Sequence, residues 1–258
     1  MPFVQHNDLS FHTQVLGTGA PVCMLHGLLV GSMTTWYFTA APRLARTHRV
    51  LLYDLRGHGR SSRPRSGYDL ETMASDLEVL LESFAPPDGP PVTLVGHSYG
   101  ALTALRFALR HPGRIARLAL VEAPIPPSQA GDLGAFISRG PEEMARALPS
   151  ILSETVQRGG RAGARFIEQV RFLATETTLL DDLAQERGFD PAAQSPAAAA
   201  FRAPVLCIYG DRSSCLPAGE QIARAIPGAQ LVILPGGHYL PVEASQAVAD
   251  ELERFCRG

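Results

Sequence analysis

Ser98 stands at the centre of Gly96-His97-Ser98-Tyr99-Gly100, between an apolar run at residues 92–95 and a helix-period run at residues 101–109. A strand that turns sharply into a helix strains the backbone at the turn, and only small neighbours leave room for it. The two glycines supply that room. The hydroxyl is then exposed at the edge of a sheet, beside the positive end of a helix dipole. A serine hydroxyl attacks a carbonyl only when a base takes its proton, and that base needs a carboxylate behind it to fix its tautomer. Eight histidines compete for the role. His238 is the expected base, because Gly236-Gly237 lets the chain turn back over the sheet directly after the last strand-like run. Asp211, in Ile208-Tyr209-Gly210-Asp211-Arg212, is the expected acid, since sites in open parallel sheets form beyond the carboxyl ends of strands. Glu122, in Leu120-Val121-Glu122-Ala123, is its rival.

These side chains are far apart in sequence and need a scaffold to bring them together. Short β-rich apolar runs alternate with helix-period segments, the pattern of a mostly parallel sheet covered on both faces. Strands are expected at residues 21–25, 49–54, 92–95, 116–121, 204–209 and 230–234, with an N-terminal hairpin at 3–5 and 10–15. The clearest helix covers 69–84, where Leu70, Met73, Leu77 and Leu81 share a face and Asp69 caps the start. A last helix is expected at 242–255. Between Pro124 and Pro204 the alternation stops, and helical periods appear at 142–156, 165–174 and 178–187. So long a stretch is no loop. Residues 125–203 are therefore expected to form an inserted helical lid, with 1–124 and 204–258 as the core. Arginines and acidic residues nearly balance within the lid, which points to no charged ligand.

With its motifs in place, the chain resembles the α/β-hydrolase-fold enzymes. The resemblance rests on His26-Gly27, on Asp54-Leu55-Arg56-Gly57-His58-Gly59-Arg60-Ser61, on the turn from Gly96 to Gly100, on Gly210-Asp211 and on Gly237-His238. It implies an eight-stranded, mostly parallel sheet with helices on both faces and an inserted lid. It further implies Ser98 as nucleophile, Asp211 as orienting acid and His238 as base, in that order along the chain. An oxyanion hole would come from the backbone N–H groups of Leu28 and Tyr99, and such donors contribute roughly a few kcal/mol each. Leu29, Tyr239 and Leu240 are expected beside the acyl group. His26 and the loop at 56–61 read as structural braces, and His97 and Trp36 as packing residues. Epoxide hydrolases and hydrolytic dehalogenases of this fold carry Asp where Ser98 stands, which disfavours both chemistries.

Composition narrows the field further. A length of 258 residues suits one large domain or a domain with an insertion. A net charge of −2 without a basic block gives no reason to expect nucleic acid as a partner. All 23 basic residues are arginine, so no Schiff base, phosphate-loop lysine or Ser–Lys dyad can be built. Codon bias in a GC-rich genome is the expected reason. Cys23, Cys207, Cys215 and Cys256 lack metal-ligand spacing, and Cys23 and Cys207 lie in apolar runs as small buried hydrophobes. No secretory signal and no apolar run of membrane-spanning length is visible, so the expectation is a cytoplasmic protein without a membrane partner, cofactor or metal.

The expected activity is cofactor-independent hydrolysis of a carboxylic ester, thioester or related acyl compound through an acyl-Ser98 intermediate. Two alternatives use the same triad: C–C hydrolysis of a vinylogous diketone, of the meta-cleavage type, and release or cyclisation of a carrier-bound acyl chain. A third, of another class, is a ligand-binding receptor that keeps the fold with slow or no turnover. The expected partner is a small acyl substrate, free or attached to a carrier protein.

Overall fold

The central strands are apolar on both sides, and their alternate residues enter different layers of the core. The computed structural model describes residues 3–29, 31–124, 160–185 and 195–258. An N-terminal pair, β1 (Phe3–His6) and β2 (Leu9–Leu16), leads to β3 (Ala20–Leu25), α1 (Thr34–Tyr37), α2 (Ala41–Leu44) and β4 (His48–Tyr53). Next come α3 (Leu70–Phe84), β5 (Val92–His97), α4 (Tyr99–Arg110) and β6 (Ile115–Val121). Between β6 and β7 (Val205–Gly210) lie α5 (Gly160–Thr175), α6 (Leu179–Gln185) and α7 (Ser195–Ala200). The chain ends with α8 (Leu216–Ala225), β8 (Gln230–Leu234), α9 (Leu240–Glu243) and α10 (Ser245–Arg257).

The eight strands form one sheet in the order β1-β2-β4-β3-β5-β6-β7-β8. The pairings of β2 with β1 and β4 are antiparallel, and all others are parallel. The two-residue period of a strand explains the two core layers. Cys23, Leu25, Leu94, Leu120 and Cys207 pack on one face with Leu77, Leu102 and Ile222. Val22, Met24, Val95, Val121 and Ile208 pack on the other with Trp36, Leu44 and Leu252.

Parallel register brings the strand ends into line. Leu25 pairs with Gly96, His97 with Val121 and Gly210 with Leu234. The chain segments that follow β3, β5, β6, β7 and β8 therefore gather at one edge of the sheet.

Asp69 caps α3 as its position suggested, its Oδ1 accepting from Thr72 N at 2.9 Å. The expected single helix at 242–255 is instead α9 and α10, broken at Ala244, whose φ of −126° and ψ of 39° are not helical. The period at 142–156 and most of the first half of the expected lid lie outside the described residues, as do 186–187, whereas the period at 165–174 falls within α5 and the described part of the period at 178–187 holds α6. Among the described residues, no helix is long and apolar enough to cross a membrane.

One buried ion pair ties the loop after β4 to α3. Arg56 Nε and Nη2 donate to the two oxygens of Asp76 at 2.6 and 2.7 Å, and Nη1 donates to Ser66 O at 3.2 Å. Burial pushes the Asp76 carboxyl up, against the pull of Arg56 and His6. Removing one partner leaves the other charge buried and uncompensated, which costs about 3–5 kcal/mol. Arg56→Met is therefore expected to lower unfolding free energy by about that amount, read from denaturant titration. A loss below about 1 kcal/mol would show that the pair is hydrated and dispensable.

Candidate active site

β5 ends at His97 and α4 begins at Tyr99, so Ser98 alone makes the turn. Its φ of 54° and ψ of −125° fall where residues with a side chain are strained, and the surrounding packing must hold them there. Ser98 N–H donates to Val121 O at 2.9 Å, while its own carbonyl accepts from Ala101 N at 2.9 Å. A Cβ on Gly96 would meet Ala101 Cα at 2.4 Å, and one on Gly100 would meet the His26 carbonyl oxygen at 2.3 Å. Backbone on both sides of Ser98 thus approaches too closely for any side chain.

His238 Nε2 lies 2.9 Å from Ser98 Oγ, and its Nδ1 lies 3.2 Å from Glu122 Oε2. The serine hydroxyl donates to Nε2, and Nδ1–H donates to the carboxylate, the tautomer that general-base chemistry at Ser98 requires. Glu122 follows β6 directly, is 0% exposed and has a positive φ of 57°. Its carboxylate also accepts from Gly210 N–H and from the Ser213 hydroxyl. Those donors replace the water that a buried carboxylate has lost. Cys215 Sγ, 3.4 Å from Nδ1, closes the space behind the ring.

Four side-chain hydrogen bonds fix the loop that carries His238. Asp211 Oδ1 accepts from Gly236 N at 2.9 Å. Glu243 accepts from Gly237 N at 2.8 Å and from Tyr239 N at 3.2 Å, gripping the residues on either side of the histidine. His97 Nε2–H donates to the His238 carbonyl at 2.8 Å. Burial, assisted by the neighbouring His238, presses the His97 pKa down to about 3, so it serves as a neutral donor.

Across from that loop, the chain after β3 is held by two more neutral histidines. His26 Nδ1–H donates to Gly27 O at 2.8 Å and its Nε2 accepts from Leu55 N at 3.0 Å. His58 Nδ1–H donates to Arg56 O at 2.7 Å and its Nε2 accepts from Leu29 N at 3.0 Å. Burial lowers the pKa of both rings, that of His58 to about 3. From α5, Gln169 Nε2 donates to Leu29 O at 2.5 Å. A Cβ on Gly27 would sit 3.0 Å from Ser98 Cβ, so this segment lies directly against the serine.

A family model described as the alpha/beta hydrolase fold matches residues 20–245. The chain belongs to the α/β-hydrolase fold family. It is 30% identical over 260 residues to the mouse sn-1-specific diacylglycerol lipase ABHD11, covering 91% of this chain and 80% of that protein. It is 28% identical over 274 residues to a putative non-heme chloroperoxidase of Synechocystis, covering 92% of each. The crystal structure of a hydrolase from Pseudomonas aeruginosa PA01 is similar with a TM-score of 0.78 and 28% identity, covering 99% of this chain and 98% of that one.

In this α/β-hydrolase the sequence-predicted site residues divide. Ser98 and His238 meet, as expected from the motifs. Asp211 does not stand behind the imidazole. Its side chain is 49% exposed, bonds Gly236 N and lies 3.2 Å from Arg212, so it is a turn residue that anchors the loop after β8. The rival Glu122 takes the place behind the ring, because the end of β6 borders both β5 and β7 and its side chain is pinned by Gly210 and Ser213. Leu240 is 0% exposed among Trp36, Leu44 and Leu252, a core position rather than a pocket wall. Leu29 is also buried, and its N–H is committed to His58. Tyr239 is half-buried with its ring centroid 5.6 Å from that of His238. Tyr99 sends its hydroxyl to Tyr68 O at 2.9 Å and places its N–H at the start of α4, while Leu28 is half-buried on the segment against Ser98. Sequence reasoning missed Cys215 and Glu243 as neighbours of the histidine. A glutamate two residues after Pro241 in a helix-rich C-terminus carries no distinguishing signal, and neither does a cysteine before Leu216-Pro217.

Burial lowers the His238 pKa, but its ring hydrogen bonds to Cys215 and Glu122 and the nearby Glu122 carboxylate outweigh it and hold the pKa above the ordinary imidazole value. A base must be neutral to accept a proton, so activity is lost as pH falls through this raised pKa. The acid limb of kcat/KM is therefore expected to have its midpoint above pH 6.5. A midpoint at or below that value would count against the hydrogen bonds behind the His238 ring.

Proposed function

We propose that the protein is a serine hydrolase that cleaves carboxylic esters through an acyl-Ser98 intermediate. The observation that carries this reading is the single relay from Ser98 Oγ to His238 Nε2 at 2.9 Å and from His238 Nδ1 to Glu122 Oε2 at 3.2 Å. Ser98 attacks the acyl carbonyl as its proton passes to Nε2, and Glu122 stabilises the imidazolium formed. The imidazolium then protonates the leaving alkoxide. Water, deprotonated by the same nitrogen, releases the acid and restores Ser98. Negative charge on the tetrahedral oxygen falls to the backbone N–H groups of Tyr99 and Leu28, on the two segments that flank the serine. The substrate reading draws support from the relative named as a diacylglycerol lipase, a carboxylic-ester hydrolase by its printed name. No cofactor enters any step, and the partner is a small acyl substrate.

A fluorophosphonate probe tests the mechanism before any substrate is known. The wild-type protein is expected to gain one covalent adduct, mapped by peptide mass to Ser98, and Ser98→Ala is expected to gain none. Equal labelling of both would place the reactive hydroxyl elsewhere.

A further inference from the structure

Behind the imidazole, on the side away from Ser98, three side chains of different ligand type converge. Glu122 Oε2, Cys215 Sγ and His238 Nδ1 all lie within 4.8 Å of one another. Nδ1 is 3.2 Å from the carboxylate oxygen and 3.4 Å from the sulfur. A tetrahedral zinc ion with bonds of about 2.0–2.3 Å keeps neighbouring ligand atoms roughly 3.3–3.6 Å apart. The two separations from Nδ1 already approach the edges of such a tetrahedron. We propose that Glu122, Cys215 and His238 form a binding site for a borderline-soft divalent cation, for which zinc is the fitting ion.

The chemistry of the donor set favours this ion. Thiolate, imidazole and carboxylate are the three ligand types that zinc takes from proteins, and three of them leave one coordination position over. One thiolate and one carboxylate balance the double charge, so the filled site carries no net charge into the interior. The supporting contacts are present. Ser213 Oγ donates to Glu122 Oε2 and accepts from Cys215 N at 3.0 Å, holding two of the three ligands in register. The cysteine and glutamate are buried, while 29% of the His238 side chain is exposed. The ligands come from the end of β6, the start of α8 and the loop after β8, which is why no spacing in the sequence displays them.

Binding rearranges protons in a defined way. The Cys215 thiol loses its proton to solvent as sulfur bonds the metal. His238 must offer the Nδ1 lone pair, so its ring proton passes from Nδ1 to Nε2. Nε2 then faces Ser98 as a donor and can no longer accept the serine proton. The ion is thus an inhibitor acting from behind the base. That consequence rests on the hydrolase reading, whereas the binding does not.

The test uses the full-length protein after chelator treatment. Titration with Co2+ is expected to produce a sulfur-to-cobalt charge-transfer band in the near ultraviolet, which Zn2+ abolishes by displacement. The band should appear equally in Ser98→Ala and in Cys256→Ala, which removes another buried cysteine. It should vanish in Cys215→Ala, with zinc affinity weakened by more than roughly 100-fold. His238→Ala, expected to weaken zinc similarly, carries the test if the cysteine variant does not fold. Absence of the band in wild type, or its persistence in Cys215→Ala, overturns the site. Zinc that binds without suppressing ester turnover overturns the inhibitory consequence. A band in a protein with no ester turnover at all leaves the site standing and removes the hydrolase reading instead.

Discussion

Glu122→Gln is expected to lower kcat for ester hydrolysis by roughly 10⁴-fold, whereas Asp211→Asn leaves it within about threefold. The two substitutions have the same chemistry, one oxygen exchanged for an amide nitrogen, and differ only in where they fall. At position 122 the exchange puts an amide where Nδ1–H now finds a carboxylate oxygen at 3.2 Å. An amide nitrogen turned towards the ring stabilises the opposite tautomer, with the proton on Nε2 and no lone pair for Ser98. An amide oxygen turned towards it carries no charge to stabilise the imidazolium. Either orientation also disturbs the contacts from Gly210 and Ser213. At position 211 the side chain is half exposed and contacts the site only through the Gly236 backbone, which an amide oxygen can still accept. The measurement is kcat on a chromogenic ester, with thermal melting of each variant to separate chemistry from folding. A larger loss from Asp211→Asn than from Glu122→Gln would return the acid to the loop after β7.

Ser98→Ala is expected to abolish the covalent route, lowering kcat by on the order of 10⁶-fold while leaving KM and melting temperature nearly unchanged. Alanine keeps the Cβ that occupies the strained turn, so the φ of 54° costs the same in both proteins. Only the hydroxyl is removed, and with it the bond to His238 Nε2 at 2.9 Å. The residual rate then reports what the oxyanion donors and the base achieve with water alone. Retention of turnover within tenfold of wild type would sink the acyl-enzyme mechanism.

The fold was legible because its signals are local and repeated. Each buried strand declares itself as an apolar run, and the two-residue alternation that separates Cys23 from Met24 needs no knowledge of distant partners. Ser98 was legible for a similar reason, since the constraint on Gly96 comes from Ala101, five residues on, although the one on Gly100 comes from distant His26. His238 followed from its place after the final strand. The group behind the imidazole did not follow, because two acidic residues end neighbouring strands and the choice depends on side-chain direction beyond the strand ends. Glu122 reaches donors on β7 and past it, whereas Asp211 turns towards the loop after β8. What distinguishes them in sequence is modest: a lone carboxylate closing the run from Leu118 to Val121 must be buried and therefore partnered. The break at Ala244 was hidden too, since the apolar face of α10 continues the same period while Glu243 is diverted to the backbone of residues 237 and 239.

The position of Glu122 has a bearing on how this protein can be re-engineered. It sits only two residues ahead of Pro124, where the long excursion between β6 and β7 departs from the sheet. A graft that swaps this excursion for another enzyme's to change selectivity therefore has its upstream seam beside the proton relay. Chimeras joined before residue 122 exchange Glu122 along with the excursion, and those joined after Pro124 exchange the excursion alone.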